Sequence, residues 1–165
     1  MPDLVCFNRN RNAAIEFIDQ NTIRSVCQLQ DTLTDAWVQI KVSLPDLEII
    51  EAEGRFDRCH RSECRNIDQA LKKVSGVRIG SGMKKILRGL LSETTDCKEL
   101  AFMLEECCQA VIIGFTKDFL AQCPDEPEKA FEFFRGMVRK NTRLLNRCVA
   151  FAPGSSIVEG IEPED

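Results

Sequence analysis

The clearest pattern along the chain is an alternation. From Asp35 to Leu44, Ala36, Val38, Ile40, Val42 and Leu44 interleave with Trp37, Gln39, Lys41 and Ser43. A period of two over that length predicts a β-strand with one buried face and one wet face. Thr22 to Gln30 sets Ile23, Cys27 and Leu29 on one side. Leu47 to Phe56 is again β-rich, beyond a break at Pro45-Asp46 that suits a tight turn. Weaker strands are expected over Leu4 to Asn8 and Ala13 to Asp19. Short connections between successive strands imply an antiparallel meander over residues 1–56.

The period changes near Cys59. Cys64, Ile67, Leu71 and Val74 recur at helical spacing until Ser75-Gly76, which predicts one helix over that stretch. Met83, Ile86, Leu87, Leu90 and Leu91 form the stripe of a second helix, opposite Lys84, Lys85 and Arg88. A third is expected after Thr94-Thr95, with Asp96 as its N-cap and Glu99 completing a capping box. Its middle, Cys107 to Phe115, is apolar nearly all round and reads as the central buried helix. A last helix starts at acidic residues around Pro127 and ends among Arg139, Lys140, Arg143 and Arg147, charges that complement its dipole at both ends. The pattern thus predicts an α+β fold, with the N-terminal meander packed against three to four helices over residues 59–148. A single domain spanning 1–150 and a disordered acidic tail over 151–165 complete the expectation.

Composition narrows the function classes. The chain has 165 residues, 44% hydrophobic and 29% charged, enough to bury a core without cross-links. A net charge of −4 supplies no global field for nucleic acid or anionic lipid. No basic-then-apolar signal opens the chain, and Ala110 to Phe115, its longest apolar run, is too short for a membrane span. Nine cysteines at irregular spacing, with Cys107 and Cys108 adjacent, fit reduced thiols in a cytoplasm. Arg135, Arg139, Arg143 and Arg147 recur every fourth residue. Such a ridge can meet phosphates, but more often it is a solvated helix face, and nucleic acid is not the expected partner. Phe131, Phe134, Met137 and Val138 lie on the opposite side, as core or as the seam of a homodimer or protein partner.

An ordered series of short motifs resembles the bacterial family called domain of unknown function 2889, over about residues 34–115. Family members carry a His-Asp pair opening a strand, a Cys, a Val-Gly-x-x-Ile-Gly-x-Gly segment, and then Cys-Thr-His-Leu. The matching residues are Thr34-Asp35, Cys64, Ser75-Gly76-Val77-Arg78-Ile79-Gly80-Ser81-Gly82 and Cys97-Lys98-Glu99-Leu100. Both family histidines are replaced, by Thr34 and Glu99. The resemblance implies the fold and a bacterial cytoplasmic setting, and no particular activity.

Candidate chemistry centres on cysteine. Cys64, Cys97, Glu99, His60 and Asp35 are the candidate metal ligands, with Cys59 beside them and zinc the fitting ion. His60 and Cys64, four apart, would share a helix face. Buried structural cysteines are the plainer alternative. As first helical residue, Cys97 would sit in a field favouring thiolate, although Asp96 and Glu99 oppose it. It is therefore the candidate nucleophile of a thiol- or metal-dependent hydrolase or transferase. Gly76 to Gly82 could cradle an anion at a helix start, but reads better as a connection between packed helices. The sole histidine and the missing nucleotide loop make a small cytoplasmic binding or interaction protein the leading expectation, its site lying where the Asp35 end of the sheet meets Cys64, Cys97 and Glu99.

Overall fold

The structure is a computed structural model, and it describes residues 7–64, 67–80, 82–146 and 148–162. The chain divides into two compact units, Met1–Phe115 and Thr116–Asp165.

In the first unit, four strands, β1 (Arg9–Asp19), β2 (Thr22–Asp31), β3 (Asp35–Ser43) and β4 (Glu48–Arg58), form one antiparallel sheet in the order β1-β2-β3-β4. This is the expected meander. The strand expected over Leu4 to Asn8 falls outside the described residues up to Cys6, and Phe7 and Asn8 precede β1. Register follows the alternation: Ile23 faces Val42, Ser25 faces Ile40, Cys27 faces Val38 and Leu29 faces Ala36. All eight are buried, so a one-residue slip would turn this whole set to solvent.

Helices α1 (Asp68–Lys73), α2 (Met83–Ser92) and α3 (Lys98–Leu120) follow, with a short 3-10 turn at Ser62–Cys64 ahead of them. The single helix expected from Cys64 to Val74 is thus a 3-10 turn followed by α1. Leu71, Leu87, Leu100, Met103, Leu104, Cys107 and Val111 join the sheet's inner face in one buried cluster. The segment Gly76 to Ile79 lies along the outer edge of β4. Gly76 N–H donates to Ile49 O at 2.7 Å, and Ile79 N–H donates to Leu47 O at 2.8 Å. Those amides are engaged in strand-like pairing, so the anion-cradle reading has lost donors it needed. Ser81 of that segment lies outside the described residues.

The C-terminal half of α3 differs from expectation. Cys107, Cys108 and Val111 are buried, whereas Ile113 is 67% exposed and Phe115 39%. A helix apolar on every side can cover only the stripe that faces the sheet.

One polar hub ties the β2–β3 turn. Asp31 accepts from Leu33 N–H at 2.8 Å and Thr34 N–H at 2.6 Å, and Arg9 Nη2 approaches its Oδ2 to 2.6 Å. Burial alone would raise the Asp31 carboxyl, but these donors outweigh it and hold the group below the ordinary carboxylate value of 3.8. A depressed folded value means the stabilisation is complete above the unfolded value and is lost as pH falls through the folded one. Asp31→Asn is expected to cost about 1–3 kcal/mol near neutrality, and its urea midpoint should converge on that of the wild type as pH falls through the depressed folded value of the carboxyl. A gap that does not narrow as the solution is acidified would contradict the charge-dependent role.

In the second unit, α4 (Pro127–Lys140) carries Pro127 at its first turn. The ring of Phe133 stacks on Phe119 at 4.6 Å and meets Phe134 edge-on at 5.5 Å. Val138 is fully buried. Arg135 donates to the carbonyls of Ser156 at 2.9 Å and Glu159 at 2.7 Å. The segment after Pro153, acidic by composition, forms successive turns up to Gly160, and Val158 is buried.

Candidate cysteine–carboxylate site

The 3-10 turn and the start of α3 are held against each other. Thr95 Oγ1 donates to Glu63 O at 2.7 Å and accepts from Cys97 N–H at 3.3 Å. This brings Cys64 and Cys97, 33 positions apart in sequence, to a Cα separation of 5.2 Å, with their sulfurs joined as a disulfide. Both are buried. Helix α3 starts at Lys98, and Ala101 N–H donates to Cys97 O at 3.3 Å, so Cys97 itself is the cap residue. Asp96 is therefore not the N-cap, because the Thr95 hydroxyl takes the local N–H instead. Cys97 does not occupy the first helical turn where thiolate was expected to be favoured.

Glu99 completes the cluster. Among the described residues, Cys64, Cys97 and Glu99 offer ligand atoms that all lie within 4.8 Å of one another. Glu99 Oε2 is buried and accepts no hydrogen bond from the described residues. Arg61 Nη1 stands 3.7 Å from that oxygen, inside ion-pair range but beyond a hydrogen bond. A buried carboxylate oxygen with no donor is costly and calls for a partner.

The other candidate residues are placed elsewhere. His60 is exposed and precedes the 3-10 turn, so it does not share a helix face with Cys64. Asp35 pairs with Arg58 at the end of the sheet from which the chain runs through Cys59 and His60 to Cys64. Neither His60 nor Asp35 belongs to the close group. Cys59 is half-buried and packs on the core as a free thiol.

The remaining inner thiols are electrostatically quiet. Burial, with Glu106 adding to it, pushes Cys27 up to about 11, and burial with Glu105 pushes Cys108 up to about 12. Burial raises Cys107 further still. These groups stay protonated and behave as small hydrophobes.

The arginine ridge is not continuous. Arg135 is spent on backbone carbonyls, α4 ends at Lys140 so that Arg143 falls in a 3-10 turn, and Arg147 lies outside the described residues. A polar pair that the motifs did not signal stands nearer the core. Glu105, almost buried on α3, is gripped by Arg88 of α2 through bonds of 2.7 and 3.2 Å. The only hint was the basic face of α2.

Fold and site together define an α+β domain: an antiparallel meander, a covering of helices, and a buried pair of sulfurs beside one carboxylate oxygen that accepts no hydrogen bond from the described residues. The chain belongs to the family described as Protein of unknown function (DUF2889), whose match spans residues 14–112 and takes in most of β1, the rest of the sheet and the whole cluster. Comparison with curated proteins and with solved structures gives no significant match. No helix is long and apolar enough to cross a membrane among the described residues.

Proposed function

We propose that the domain is a binding module whose Cys64, Cys97 and Glu99 take one thiophilic divalent cation, zinc by preference, when the two sulfurs are reduced. The observation that carries this reading is the buried Glu99 Oε2, left without a hydrogen-bond donor among the described residues and standing beside two sulfurs. Two thiolates and a carboxylate are a donor set suited to zinc, with a fourth position left for water or an outside ligand. Charge supports it as well. The three ligands carry −3 and Arg61 carries +1, so a divalent cation brings the pocket to neutrality. A disulfide and a metal are mutually exclusive on these sulfurs, so binding belongs to a reducing compartment, and we place the protein in the cytoplasm.

The reading of Cys97 as a nucleophile receives less support. A thiol nucleophile needs a placed base, and the sole imidazole stands outside the close group.

Cobalt(II) titration of the reduced full chain tests the site. A thiolate-to-cobalt charge-transfer band saturating at one equivalent is expected, displaced by zinc. Cys97→Ser should abolish it, and Glu99→Gln should weaken binding on the order of tenfold or more. Uptake should strengthen with rising pH as the thiols lose protons. A reduced chain that binds less than about a tenth of an equivalent of either ion would overturn the proposal.

A further inference from the structure

The disulfide and a metal-bound state fit the same backbone. Cys64 closes the 3-10 turn and Cys97 caps α3, with their Cα atoms 5.2 Å apart. Two thiolates on one tetrahedral zinc sit about 3.8 Å from each other, given Zn–S bonds of about 2.3 Å. Rotation of the two side chains provides that spacing without moving either element. The bond from Thr95 Oγ1 to Glu63 O, at 2.7 Å, ties the two segments without using sulfur, so the pair stays together when the link between the sulfurs opens.

Charge balances in both states. With a divalent ion bound, two thiolates and Glu99 offset the ion and Arg61. With the disulfide formed, the sulfurs are neutral, and Glu99 is offset by Arg61 alone at 3.7 Å. An ion that stayed after oxidation would leave two surplus positive charges beside buried sulfurs, and burying unpaired charge is costly. Loss of two electrons from the sulfurs therefore goes with loss of one divalent ion.

The sulfurs are buried, but the side chains beside them reach solvent: Glu99 is 21% exposed and Arg61 42%. This rim admits an ion or a molecule of peroxide size more readily than a bulky disulfide. Cys27, Cys107 and Cys108 are buried and stay protonated, so they do not compete for an oxidant.

Resting on the metal-binding reading above, we propose that hydrogen peroxide oxidises the reduced Cys64–Cys97 pair and so expels its cation, one ion for every two electrons. One thiolate of the pair attacks a peroxide oxygen, the O–O bond breaks and hydroxide leaves, giving a sulfenic acid. The other thiolate attacks that sulfur, the S–O bond breaks, and a second hydroxide leaves as the disulfide forms. The sulfurs lose two electrons and the two peroxide oxygens gain them. The ion, left with Glu99 alone, departs to solvent, and Arg61 remains as the counter-charge of the carboxylate. A dithiol reductant reverses the sulfur chemistry and restores the site.

Zinc release from the reduced, zinc-loaded full chain under hydrogen peroxide tests this, read with a chromogenic chelator while peptide mass scores the Cys64–Cys97 link. One zinc per link formed is expected, on the same time course, with uptake restored by a dithiol once peroxide is removed. Cys123→Ser together with Cys148→Ser removes free thiols outside the site and should leave that ratio unchanged. At equilibrium in glutathione buffers, a tenfold rise in free zinc should raise the reduction potential of the pair by about 30 mV. Glu99→Gln should need on the order of tenfold more zinc for the same shift. Zinc that stays bound while the chain is oxidised elsewhere, or that leaves without the Cys64–Cys97 link, would overturn the switch and leave the binding reading standing. A reduced chain that takes up no zinc would overturn the binding reading and this one with it. A potential indifferent to zinc would count against both, since an ion held on the two sulfurs must favour the reduced pair.

Discussion

Truncating Leu104 to alanine is expected to lower the free energy of unfolding by about 2–5 kcal/mol, the range for removing a large aliphatic side chain from a packed interior. Leu104 has no exposed surface, and it belongs to the same cluster as Ile23, Val38, Ile40 and Leu87. The cost combines lost transfer energy with the cavity left behind, because the sheet and α2 cannot both close on the gap. Ile113→Ala in the same helix serves as the internal control. Its side chain is largely exposed, so the change should alter stability by no more than about 0.5 kcal/mol. Urea denaturation of both variants reads the contrast. Similar losses for the two would mean that α3 is not seated on the sheet along its Leu100–Leu104–Cys107 stripe.

Breaking the Cys64–Cys97 link is expected to cost the oxidised protein about 3–4 kcal/mol, the loop-closure value for a separation of 33 residues. The entropy it withholds from the unfolded chain is the same whichever cysteine is removed. Cys64→Ser, Cys97→Ser and the double variant should therefore lose similar amounts. Adding a reductant to the wild type should produce a comparable drop. Zinc should then restore part of it in the reduced wild type and none of it in the variants, because a ligand that binds only the folded state stabilises by mass action. If reductant leaves the denaturation midpoint of the metal-free wild type unchanged, the link contributes nothing to folding.

How much of this was legible follows from the kind of signal each residue leaves. The alternation from Ala36 to Leu44 announced β3, and Ile23, Cys27 and Leu29 announced the inner face of β2, because a strand with one dry face must repeat every two residues. On α2, Met83, Leu87 and Leu91 are buried as their stripe requires, yet Ile86 of the same stripe is 49% exposed. Helical period says which residues share a side, not how wide the covering layer is. The closeness of Cys64, Cys97 and Glu99 was signalled by the family motif order. No spacing rule joins residues 33 apart, and the pairing depends on how the Thr95–Glu63 bond seats the 3-10 turn.

Other features left no local trace. Asp31 looks like any turn aspartate until Arg9 arrives from the neighbouring strand. Glu105 looks like a solvated helix residue until Arg88 of α2 closes over it. His60 and Cys64 have helical spacing, but the chain bends at His60 and then makes a single 3-10 turn. By itself, then, the order of amino acids determined the class of fold, the sheet's register and most of its core, because burial on a periodic backbone leaves a periodic signature. Only the tertiary structure decided that Cys64 and Cys97 bond to each other, that Glu99 Oε2 beside them accepts no hydrogen bond from the described residues, and that Arg88 closes over Glu105. Those depend on contacts between residues far apart in the chain, and such contacts impose no period on the residues between them.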